Sequence, residues 1–77
     1  MNENWIKSEV ICRLYLMNKA GLVKDLKLQK ETTAQKIGVT YASVDMACAN
    51  FKYLDTNGQY GLSNYNKTQE MVYLSLV

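Results

Sequence analysis

The chain has 77 residues, of which 48% are hydrophobic and 21% charged, with a formal net charge of +2 at pH 7. A chain this short forms one small domain that buries only roughly 60% of its unfolded surface, and its apolar and charged fractions exclude disorder. No apolar run is long enough to span a bilayer and the polar start Met1-Asn2-Glu3-Asn4 is not a signal peptide, so the expected location is the cytoplasm of the producing cell or its host.

In chain order, a first helix is expected from Glu3 to Asn18. Ile6, Val10, Leu14 and Met17 recur at helical spacing, and Trp5 and Ile11 widen the stripe. Gly21 is a candidate C-cap. Leu22 to Leu28 is open between a helical turn and a short strand. Thr32 or Thr33 is the expected N-cap of a second helix.

The stretch Lys30 to Phe51 carries the spacing of a helix-turn-helix. A small residue, Ala34, stands where two helices would pack closely. Gly38 follows where the backbone must turn with positive φ. Ile37, Val44 and Ala47 can close a core between the two helices. The third helix is expected from Tyr41 to Leu54, with Val44, Ala47, Cys48, Phe51 and Leu54 inward.

Beyond it, Asn57-Gly58 is a tight-turn signal. The segment Asp55 to Leu62 then forms either a short β-hairpin, the wing of a winged helix with residues 56–63 as its span, or an irregular loop with a turn. A last helix is expected from Lys67 to Leu76, with Met71, Leu74 and Tyr73 closing over the first. The absence of proline permits uninterrupted helices. The expected fold is mainly α: a single helix-turn-helix or winged-helix-like domain over residues 1–77 with four helices.

On the third helix, Thr40, Tyr41, Ser43, Asp45 and Met46 form the exposed face near its start and would meet base edges first in a major groove. Lys52 is the first cation on that helix. Asp45 would repel phosphate unless it accepts from a cytosine amino group. Residues 19–36 carry five lysines against Asp25 and Glu31, giving +3; residues 37–77 carry Lys52 and Lys67 against Asp45, Asp55 and Glu70, giving −1. Lys27, Lys30 and Lys36 are therefore candidate phosphate contacts; the alternative is a solvated lysine surface that keeps the protein soluble.

Catalytic signals are missing. There is no histidine, the carboxylates show no paired spacing, and no glycine loop with a lysine would cradle phosphate. Cys12 and Cys48 lack metal-ligand spacing and read as buried free thiols in a reducing compartment. The expectation is a protein that is not an enzyme and uses no cofactor or metal.

The segment NFKYLDTNGQYGLSNYNKTQEMVY resembles the N-terminal domains of bacterial HNH-type restriction endonucleases. The likeness rests on Asn50-Phe51, Leu54-Asp55, Gly61-Leu62-Ser63-Asn64, Lys67 and Tyr73, with Trp5, Glu9, Leu14 and Tyr15 suiting the opening helix. It implies a domain that recognises DNA or helps to place a nuclease. The expected partner is double-stranded DNA, bound by a small regulator from a phage or other mobile element, as a homodimer if specificity demands it. The alternative is a protein-binding module that inhibits or assembles with a nuclease or host defence complex. No membrane partner is expected.

Overall fold

The computed structural model describes residues 2–77; Met1, the first residue of the polar start, lies outside the described residues. Four helices follow in order: α1 (Glu3–Lys19), α2 (Leu26–Ile37), α3 (Tyr41–Asp55) and α4 (Lys67–Leu76). Each begins on a side-chain cap. Asn2, Asp25, Thr40 and Asn66 accept from the backbone N–H of Trp5, Leu28, Ser43 and Gln69, and Gln69 returns the bond to Asn66. Each cap contributes about 1 kcal/mol.

The second helix corrects the reading of its start. It opens at Leu26 because the Asp25 carboxylate caps it. Thr33 is buried in its middle and caps nothing. The ambiguous stretch before it is neither turn nor strand as a whole: Leu22 to Asp25 connects, and Leu26 onward is helical.

Three helices stop by one device. Gly21, Gly38 and Asn57 take left-handed φ of 78°, 72° and 53°. The next N–H in each case, on Leu22, Val39 or Gly58, reaches back to the carbonyl of Met17, Ala34 or Tyr53 at 3.0, 3.0 and 2.9 Å. This is the Schellman arrangement, which satisfies carbonyls that a helix end leaves open.

It also overturns the hairpin. Asn57-Gly58 ends α3 instead of reversing a strand, and no strand occurs among the described residues. The chain beyond it bonds to α3. Leu62 donates its N–H to the Ala49 carbonyl at 3.1 Å. The buried Asn50 amide donates to the Leu62 carbonyl at 3.0 Å and to Asn64 Oδ1 at 2.8 Å. Those groups are satisfied without a partner strand.

The core is Ile11, Cys12 and Leu14 of α1, Ala34 of α2, Val44, Ala47, Cys48 and Phe51 of α3, and Val72 of α4. Ala34 is buried where the small side chain was expected. Two apolar faces differ from expectation. On α1, Ile6 and Met17 are exposed and the buried face centres on Ile11, Cys12 and Leu14. On α4, Met71 and Leu74 point outward, while Val72 is fully buried and Tyr73 and Leu76 pack on the core. The helix α1 touches all three others, so its buried surface wraps more than one stripe.

The Asp55 carboxylate ties three helices together. Its side chain is only 8% exposed. It accepts from Tyr15 at 2.8 Å and Lys19 at 2.6 Å, both on α1, and from the Tyr73 hydroxyl on α4. The Cα radius of gyration, 11.4 Å, is that of a compact chain of this length.

Candidate nucleic-acid interface

The turn between α2 and α3 brings the start of α3 to the surface. Thr40 accepts the Ser43 N–H at 3.0 Å, and its hydroxyl donates to Ser43 Oγ at 2.9 Å. Thr40, Tyr41, Ser43, Asp45 and Met46 are all exposed, as the sequence indicated.

Asp45, Cys48 and Lys52 lie at i, i+3 and i+7, on one edge of α3. That edge walls a hollow of about 420 Å³, completed by Lys19 from α1 and Lys30 from α2. Lysines from three helices therefore line one concavity, and the ammonium group of each has a partner. Lys30 Nζ is 2.6 Å from Asp45 Oδ1, with side-chain exposures of 13% and 57%. Lys19 Nζ is 2.6 Å from Asp55 Oδ2. Lys52 Nζ stands 5.7 Å from the centroid of the Tyr60 ring, a cation–π distance.

These pairings set the electrostatics. Burial, the largest single influence, would lower the Lys30 pKa, but the Asp45 hydrogen bond and the surrounding acidic groups together outweigh it and the value is raised. Burial pushes the Cys48 thiol up to about 11, with Lys30 pulling weakly the other way. Cys12, deeper in the core, is pushed up to about 12, first by burial and then by Asp55. Both are thiols at neutral pH, and neither is a nucleophile or metal ligand in that form. Among the described residues no group of three or more His, Cys, Asp or Glu is placed to hold a metal ion.

The lysines named from the sequence do not form one patch. Lys30 and Lys52 share the hollow. Lys36 lines a separate groove between α1 and α2. Lys27 is exposed and lines neither. Lys19 joins the hollow although its sequence position marked only a helix end; its approach to Asp55, 36 residues away, is a tertiary contact without a local signature.

A loop covers part of the outer face of α3. A Cβ on Gly61 would lie 2.3 Å from the Ala49 carbonyl oxygen and 2.7 Å from the Tyr53 nitrogen, so this backbone rests directly on the helix. Asn64 Nδ2 is 3.6 Å from Met46 Sδ. The open part of α3 is its first turn, from Tyr41 to Ser43, and the edge running through Asp45 to Lys52.

Several of the residues behind the resemblance serve here as scaffold. Phe51 is fully buried, Asn50 clamps the loop, Gly61 lies on α3, and Asp55 and Tyr73 bond each other. No protein family, curated protein or solved structure matches this chain.

Proposed function

We propose that this is a small, non-catalytic DNA-binding protein of the helix-turn-helix type, a regulator of the kind carried by phages and mobile elements. α2, the Gly38 turn and α3 form the unit. The first turn of α3 would approach base edges with Tyr41 and Ser43. The observation that carries this reading is that Lys30, Lys52 and Lys19 line one hollow along the edge of α3 that runs from Asp45 towards its far end. A phosphate can replace a carboxylate or an aromatic face as the partner of each ammonium. Three lysines against Asp45 and Asp55 leave the region only +1, so binding should be weak at physiological salt.

Fluorescence anisotropy on labelled duplexes tests this. With about three phosphate contacts, log affinity against log salt should have a slope near −2.7, from about −0.9 per contact. Lys52→Ala should make that slope shallower by about 0.9 on every sequence, whereas Tyr41→Ala and Ser43→Ala should change which sequences are preferred. Binding that is undetectable at low salt, or indifferent to all three substitutions, rejects the reading.

A second reading has its own support. The loop over α3 is flanked by exposed Met46, Tyr60 and Leu62, a surface with little charge that suits a protein partner such as a nuclease or a host defence complex. If that surface carries the function, Met46→Glu and Leu62→Glu will abolish partner binding while Lys30→Ala leaves it intact.

A further inference from the structure

A different flank of α2 carries a larger concavity that the DNA reading does not use. It is a groove of about 660 Å³ between α1 and α2. Met17, Leu22 and Leu28 line it while 48%, 71% and 52% exposed. Its lining also includes Arg13, Lys24 and Lys36 against one acid, Asp25. Arg13 is held by Glu9 at 2.8 Å, and the Asp25 carboxylate is committed to the Leu28 N–H that it caps. Lys24 and Lys36 are in no ion pair among the described residues.

We propose that this groove is a docking site for an acidic amphipathic α-helix of a partner protein. Apolar residues at i, i+3 or i+4, and i+7 of that helix seat on Met17, Leu22 and Leu28. Its flanking Asp and Glu meet Lys24 and Lys36, whose ammonium groups have no ion-pair partner among the described residues. Charge selects the occupant. A two-fold pairing of groove on groove would set Lys24 and Lys36 of one copy against those of the other, which like charge opposes. Phosphate would gain nothing from the exposed leucines and methionine. The proposal stands independently of DNA binding, since none of its residues lies in the lysine hollow.

The probe is a synthetic helix of about four turns with leucines at i, i+3, i+4 and i+7 and glutamate elsewhere, compared with its lysine-for-glutamate counterpart. Amide shifts of the intact, isotope-labelled protein are followed during titration. The acidic probe should bind at least tenfold more tightly than the basic one. Its shifts should centre on Met17, Leu22, Leu28 and Lys36. The double variant Lys24→Glu, Lys36→Glu should reverse the preference, and Leu28→Glu should abolish binding of both probes. Circular dichroism confirms that these surface variants fold, and duplex binding measured alongside should be unaffected by Leu28→Glu. Equal affinity for both probes, shifts elsewhere or no binding would overturn the proposal. So would a wild-type dimer in sedimentation that Leu28→Glu disperses, since the occupant would then be a second copy.

Discussion

Tyr15, Lys19 and Tyr73 all donate to the Asp55 carboxylate, and that one residue has consequences at both ends of the pH scale. Burial alone would raise its pKa, but the hydrogen bonds from Lys19, Tyr73 and Tyr15 outweigh it and hold the carboxyl below its ordinary value. A depressed folded pKa contributes stability that is present above the unfolded value of about 3.9 and is lost as pH falls through the lower folded one. Asp55→Asn should therefore cost on the order of 2 kcal/mol at neutral pH, because the tyrosine hydroxyls lose their ionic acceptor. It should also flatten the loss of stability below about pH 4. The alkaline side has the opposite sign. Tyr73 is pushed up to about 12, first by its hydrogen bond to Asp55 and then by burial. Its contribution is present below the unfolded value of about 10 and is lost as pH rises towards 12. Urea melts from pH 2 to 11 on the wild type, Asp55→Asn and Tyr73→Phe would read both limbs. A Tyr73→Phe alkaline limb as steep as the wild type's would contradict the assignment.

Two glycines should differ for reasons visible at the same scale. Gly38 has positive φ but open space around its missing side chain, so Gly38→Ala should cost about 1 kcal/mol of conformational strain. Gly61 combines positive φ with α3 backbone atoms at 2.3 and 2.7 Å from a built Cβ. Gly61→Ala must displace the loop and should cost clearly more. Thermal melts giving Gly38→Ala the larger loss would reverse that ranking.

At the scale of the elements, stop signals decide more than periodicity does. The helix over Lys67–Leu76 and the start of α3 at Tyr41 were legible from their apolar patterns alone, and the caps Asn66 and Thr40 went unread. The turn after Ala34 was legible because only a small residue and a glycine satisfy it. Wing and loop stayed open on the sequence because an Asn-Gly pair serves equally well to reverse a strand and to end a helix. What separates the two is Asn50, whose bonds to Leu62 and Asn64 span 12 and 14 residues. Asn50→Ala should remove both hydrogen bonds that hold the loop, at a cost of about 0.5–1.5 kcal/mol each. Hydrogen exchange of the Leu62 amide should accelerate more than that of the Val44 amide in α3. Equal acceleration of both would mean that the loop is not an independently clamped unit.

For the whole molecule, net charge says less than how it is partnered. The sequence placed a basic excess before α3 correctly as a sum, yet tertiary pairing splits it between a hollow and a groove. Lys30, named from the sequence as a phosphate contact, is largely covered and bound by Asp45, the residue named as the main obstacle to DNA. The two effects are one interaction, visible only once α2 lies on α3. Among the described residues no helix is long and apolar enough to cross a membrane. A monomer presenting one α3 covers few base pairs, so sequence selectivity would require a second copy or a partner.

Asp45→Asn gives the most direct test of the DNA reading. The substitution removes a negative charge from the face that would meet the duplex and releases Lys30 from its 2.6 Å ion pair. Anisotropy on a random duplex, from about 50 to 200 mM salt, should show tighter binding than the wild type at every point with a similar salt slope, because Lys30 then reaches phosphate without giving up a carboxylate partner. Adding Lys30→Ala should cancel the gain. An affinity unchanged or lowered by Asp45→Asn, with the fold intact by circular dichroism, would contradict DNA binding along this edge of α3.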